Sequence, residues 1–167
     1  MAVRQVLTWG DPRLKIKNQD VGDWNPELEQ LVEDMFETMV AQDGSGIAAP
    51  QVGININMAV VDISGGSDPN QKVVLINPVI IHEEGEQTGS EGCLSIPGVQ
   101  ETITRPMKVI VKTRKPDGTW QELTGEEFLA RAFCHEIDHL NGRLFVEYLG
   151  AVKRGIIQRK YQKQQKQ

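Results

Sequence analysis

Cysteine is scarce in this chain, occurring only as Cys93 and Cys134. Two are too few for a disulfide framework. Long apolar runs are missing as well. Stretches such as Val73-Val74-Leu75-Ile76 stop after a few residues, far short of the roughly 20 needed to cross a bilayer. Residues 1–20 mix polar and charged side chains and contain no apolar core of the kind that marks a secretory signal. A reducing, cytoplasmic setting is therefore expected, and there a cysteine gains weight as a metal ligand or catalytic group. No internal repeat and no long low-complexity linker divides the chain. Its 167 residues suit one domain with a real core, taken as residues 1–150, plus a compositionally biased tail at 151–167.

Acid is absent from that tail, which holds Lys153, Arg154, Arg159, Lys160, Lys163 and Lys166. The whole chain carries a net charge of −5, so the body is more acidic than the total. A basic end on an acidic body suits contact with a polyanion such as RNA. A solvated terminal helix accounts for the same residues without any partner.

Along the chain, Asp11-Pro12 signals a turn. Asn25 suits an N-cap and Pro26 the first position of a helix. Leu28, Leu31, Val32, Met35, Phe36, Met39 and Val40 then form one apolar stripe, ended by Asp43-Gly44. The small residues of Gly44-Ser45-Gly46-Ile47-Ala48-Ala49-Pro50-Gln51 predict a tight loop where backbone can approach something closely. It lacks the Gly-Lys-Ser/Thr ending of a phosphate loop. Residues 56–63 and 72–82 read as strands, with Pro78 marking a bend, edge or bulge. Residues 86–95 are less regular. Residues 107–114 alternate, Pro116-Asp117-Gly118 signals a hairpin, and Thr119 to Leu123 supplies the return strand. Thr124-Gly125-Glu126-Glu127 has the form of a capping box, which predicts a helix over 125–141 with Thr124 as N-cap.

Histidine is scarce too, and two of the three lie in this predicted helix, in Phe133-Cys134-His135-Glu136-Ile137-Asp138-His139-Leu140. The third, His82, sits in an apolar run and reads as an ordinary sheet residue. A spacing of four puts both imidazoles on one helix face. They can clamp one metal ion, with Glu136 acting on a water at the ion. Phe128 and Ala132 share that face, and Leu129, Phe133, Ile137 and Leu140 make a neighbouring apolar stripe, so the helix should be largely buried.

Hydrolytic metal sites usually take three protein ligands. The two commonest zinc-protease endings are not met. Gly142 is in place for one, but Phe145 stands where its third histidine belongs. The other needs a distant glutamate, and the only acid after His139 is Glu147, too close in sequence to return. Cys93, in a glycine-containing segment, is the better candidate. A Cys/His/His set suits Fe2+, Zn2+, Ni2+ or Co2+. A structural cysteine in a strand is the plainer alternative for Cys93. Cys134 points about 100° from His135 around the helix and reads as a packed apolar residue.

Three segments together resemble the peptide deformylases, which remove the formyl group from the N-terminal formylmethionine of new bacterial chains. They are Gly44-Ser45-Gly46-Ile47-Ala48-Ala49-Pro50-Gln51, Glu91-Gly92-Cys93-Leu94-Ser95 and His135-Glu136-Ile137-Asp138-His139, in the family's order. Asp11-Pro12-Arg13-Leu14 and Leu140-Asn141-Gly142 extend the resemblance over nearly the whole chain. It implies Cys93, His135 and His139 as metal ligands and Glu136 as the catalytic carboxylate. It implies Gln51 and the backbone N–H of Leu94 as oxyanion donors, with the Gly46 segment lying along the substrate. The implied metal is Fe2+ in the cell, replaceable by Zn2+, Ni2+ or Co2+. Phe128 and Ala132 are candidate walls of a methionine pocket, or plain core packing.

The chain departs from the family pattern at Gln100, where many members have arginine, at Ser45, where a larger apolar residue is common, and at Asn141, which replaces a frequent aspartate. The first removes a cation near the substrate path; the second opens the methionine pocket. The expected fold is α+β, with antiparallel β-sheets packed around the central buried metal-binding helix and a C-terminal helix near 150–164. Expected partners are N-formylmethionyl nascent peptides and, through the basic tail, the ribosome. A metallopeptidase of the two-histidine type and a non-catalytic ribosome-binding protein with a structural metal are the alternatives.

Overall fold

The computed structural model describes residues 2–165. Lys166, counted above in the basic tail, lies outside the described residues. Three helices and seven strands follow in the order α1 (Pro26–Ala41), β1 (Gly46–Ala48), β2 (Met58–Val61), β3 (Val73–Glu84), β4 (Gln87–Cys93), β5 (Ile96–Arg105), β6 (Lys108–Arg114), β7 (Trp120–Glu126), α2 (Phe128–Leu140) and α3 (Ala151–Gln165). The strands form a five-stranded sheet of order β1-β2-β3-β6-β7 and a separate β4-β5 hairpin. Every strand pair is antiparallel, and the expected α+β class holds.

The large sheet is covered on both sides near β2, which explains why Met58-Ala59-Val60-Val61 is apolar without alternation. Ala59 and Val61, with Leu75, Val109 and Val111, face Phe133, Ile137 and Leu140 of α2. Met58 and Val60, with Ile47 and Ile76, face Met35, Phe36 and Met39 of α1. Each large side chain so buried contributes about 1.5–3 kcal/mol. The sheet thus holds α2 rigidly from one side. A third cluster joins Ile96, Ile103, Leu144, Phe145 and Val146 to Tyr161 of α3.

Local signals account for much of this. Asn25 caps α1 by accepting from the Leu28 N–H at 2.9 Å. Pro78 sits in a β3 irregularity, where the register shifts between Ile76 and Val79 and Asn77 has φ 50°. His82 is a sheet residue, exposed and 2.7 Å from Glu84.

Three readings need correction. The segment from Gly44 to Gln51, read as a tight loop, instead holds strand β1, paired with β2 from Gly46↔Val61 to Ala48↔Ala59, and a 3-10 turn at Ala49–Val52, because its small apolar residues suit a buried edge of the sheet. Thr124 is not an N-cap. Thr124, Gly125 and Glu126 continue β7, paired with Ile110, Val109 and Lys108, and α2 begins only at Phe128 after Glu127 turns the corner at φ 54°. A run of ladder hydrogen bonds outweighs one local cap. Most of residues 86–95 is also regular: Gln87–Cys93 is strand β4, which forms a hairpin with β5 in continuous register from Gln87↔Arg105 to Gly92↔Gln100, with Leu94 and Ser95 as its turn. Its mostly polar residues conceal it, because much of its surface faces solvent.

Candidate metal centre and active site

Helix α2 is buried from Ala130 to Ile137, His135 and Glu136 included, and His139 is buried beyond them. Its period brings the two imidazoles together, Nε2 to Nε2, at 3.2 Å. Cys93 ends β4, where the hairpin register shifts. Its Sγ lies 3.3 Å from His139 Nε2. The three donor atoms lie within 4.8 Å of one another, the one such cluster among the described residues. A single transition-metal ion, with bonds of about 2.0–2.3 Å to nitrogen and sulfur, can bridge these spacings.

The donor set calls for positive charge. Burial disfavours a charged His135, yet Cys93, Glu136 and Glu91 outweigh it and hold its pKa well above the usual value. Burial and the neighbouring His135 push His139 well below it. Cys134, next in sequence, is packed in the α2 core, and burial pushes its thiol up to about 12. It is the apolar residue that helix geometry predicts.

Sequence reasoning missed the support behind His135. Glu91 Oε2 accepts from His135 Nδ1 at 2.8 Å and from Arg105 Nη2 at 2.6 Å. Its Oε1 accepts from Arg105 Nε at 3.0 Å and Arg131 Nη1 at 2.9 Å. With Nδ1–H donating to Glu91, the His135 Nε2 lone pair is free for a metal. Burial would raise the Glu91 pKa, but the His135 and Arg105 hydrogen bonds hold it far below the usual carboxylate range. One signal was available: residues 91 and 93 share a face of any strand through them. The arginines come from distant segments and had none.

Glu136 lies against β1. Burial, the largest cause, raises its pKa to about 7, and Oε1 is buried without a hydrogen-bond partner. A carboxylate so tuned is suited to move a proton near neutral pH. Gln51, in the 3-10 turn Ala49–Val52, is oriented from both ends. Oε1 accepts from the Ala48 N–H at 2.9 Å, so the NH2 group turns toward Ser95 Oγ at 3.0 Å and Cys93 Sγ at 3.7 Å.

A cleft of about 690 Å3 opens over these groups. Gly46, Gln51, Cys93, Leu94, His135 and Glu136 line it. Phe128, half exposed, and Ala132, buried, also line it, as do Ser45 and Gln100. His139, the remaining predicted ligand, lies behind His135 with 1% exposure. Glu147, set aside as a ligand, pairs with Lys15 at 2.7 Å and accepts from the Leu144 N–H.

The family model of polypeptide deformylase matches residues 3–155. The chain belongs to the polypeptide deformylase family. It is 46% identical to a peptide deformylase of Acidobacterium capsulatum over 99% of this chain and 98% of that one. It is 49% identical to one of Caldanaerobacter subterraneus subsp. tengcongensis over 88% of this chain and 89% of that one. A crystal structure of a peptide deformylase from Legionella pneumophila superposes with a TM-score of 0.92 at 41% identity, covering 99% and 96% of the two chains. Deformylases are metal-dependent, and Cys93, His135 and His139 form a possible metal site in this member. Membership decides against the metallopeptidase and non-catalytic alternatives. Among the described residues, no helix is long and apolar enough to cross a membrane.

Proposed function

We propose that this chain hydrolyses the formyl–nitrogen bond of N-formylmethionyl peptides, releasing formate and a free α-amine from newly made proteins. The observation that carries the reading is the convergence of Cys93 Sγ, His135 Nε2 and His139 Nε2 beside a buried Glu136, in a cleft that also holds Gln51. Cys93, His135 and His139 hold the ion; thiolate and imidazole together suit Fe2+, with Zn2+, Ni2+ or Co2+ able to replace it. Bound there, such an ion would lower the pKa of the attacking water and polarise the formyl oxygen.

Glu136 takes the water's proton and passes one to the leaving amine. Its raised pKa and its place on the cleft wall support that role. Gln51 NH2 and the Leu94 N–H donate to the formyl oxygen as charge builds there. The peptide runs beside Gly46 on β1, an edge strand of the large sheet that can accept an added strand. Phe128 and Ala132 receive the methionine side chain. Residues 1–150 form the catalytic domain and 151–167 the basic extension. The enzyme works in the cytoplasm on nascent chains, and exposed Lys153, Arg159, Lys160 and Lys163 support ribosome contact.

The test is formate release from a formyl-Met tripeptide by anaerobically purified protein, with metal measured in the same sample. Formate release, inactivation by air and resistance of the Ni2+ form are expected. Glu136→Ala should keep its metal and lose formate release, and Cys93→Ala should lose the metal. Fragments from an unformylated peptide without formate would overturn the reading. Ribosome co-sedimentation that weakens with salt tests the extension. Unchanged binding after reversing the four exposed charges would exclude it.

A further inference from the structure

Asp138 lies between the two histidine ligands in sequence, yet its carboxylate is engaged elsewhere. Oδ2 accepts from Arg105 Nη1 at 2.7 Å and from the Tyr148 hydroxyl at 2.9 Å. Arg105 also donates through Nε and Nη2 to Glu91, and Glu91 accepts from His135 Nδ1. The Tyr148 ring covers the Arg105 guanidinium, whose Cζ is 4.7 Å from the ring centroid. The result is an unbroken set of hydrogen bonds from Tyr148 through Asp138, Arg105 and Glu91 to a ligand of the metal site. Tyr148 is 48% exposed and Arg105 only 3%. The tyrosine is therefore the outer member of the set.

We propose that Tyr148 is a positioning residue for the metal centre. Its hydroxyl holds Asp138, and its ring shields Arg105. Those two residues keep Glu91 seated against His135 Nδ1. His135 Nε2 then stays directed at Cys93 and His139. Hydrogen bonds among charged groups are stronger where water is excluded. Without Tyr148, water reaches both Asp138 Oδ2 and the face of Arg105. Arg105 can then shift its bonds between its two carboxylate partners, and the orientation of Glu91 loosens. Partners outside the ligand set typically change metal affinity by about 10- to 100-fold. Tyr148 acts at several bonds' remove, so an effect near or below the bottom of that range is expected.

The inference rests on the ligand assignment above, and the experiment separates the two. The parent, Tyr148→Phe and Tyr148→Ala are loaded with Co2+. Release to a chelator and the visible ligand-field bands are recorded, with thermal unfolding of the metal-free proteins alongside. Tyr148→Phe keeps the ring and loses only the hydroxyl; it should release Co2+ roughly threefold faster, and Tyr148→Ala roughly tenfold faster. The bands should shift in the same order, while metal-free Tyr148→Phe unfolds like the parent. Parent-like release and bands in both variants would overturn the inference. Faster release that only tracks lost metal-free stability, with parent-like bands, would also overturn it. A parent that takes up no Co2+ would overturn the ligand assignment and this inference with it.

Discussion

The backbone of Gly46 lies directly against the Glu136 carboxylate: a Cβ on residue 46 would sit 2.6 Å from Oε2 and 3.0 Å from Cδ. Glycine is needed here for space, because its φ is not in the left-handed region. Gly46→Ala should push the carboxylate aside. A displacement of about 1 Å can cost roughly a hundredfold in rate, and overpacking about 1–3 kcal/mol in stability. Formate-release kinetics with metal analysis should find kcat lowered and metal retained.

Gln51 donates toward Cys93 because its other amide end is occupied by the Ala48 N–H. Gln51→Glu keeps the shape and removes the donor. Loss of one oxyanion donor costs about a hundred- to thousandfold in kcat. Single-turnover formate release should fall by that factor with metal content unchanged. A parent-like kcat would remove Gln51 from the oxyanion site.

The two cysteines should differ sharply toward thiol reagents. Cys134 is buried with its pKa at about 12. Thiolate is the reactive form, so at pH 8 only about one part in ten thousand is available. Cys93 is partly exposed in the cleft. Metal-free native protein should titrate one thiol rapidly, and the metal should protect it. Unfolding should release the second.

Gln100 lines the cleft, and its Oε1 accepts from Ser90 Oγ at 2.9 Å. Gln100→Arg places a cation on the cleft wall. An exposed charge contact contributes about 0.2–1 kcal/mol. KM for a formyl-Met peptide with a free carboxylate should fall by up to about fivefold. kcat should hold, because a contact made equally in ground and transition states lowers KM alone.

Whatever depends on neighbours within a turn or a strand was legible in the chain itself. The period of α2 brings His135 to His139 and turns Cys134 into the core. Asn25 caps α1, and Pro78 falls at a bulge. These outcomes follow from backbone geometry acting over a few residues. The capping reading at Thr124 failed because the same backbone pairs with β6, Thr124 opposite Ile110, and a four-residue capping signal carries no information about that pairing. The hairpin that delivers Cys93 shows no apolar period to betray it. The Glu91–Arg105–Arg131–Asp138 set spans sequence separations of 14, 40 and 33 residues. Its charges tolerate burial only because each meets an opposite one there. Sequence periodicity carries no trace of such pairing, so only the folded chain could disclose what holds His135 in place.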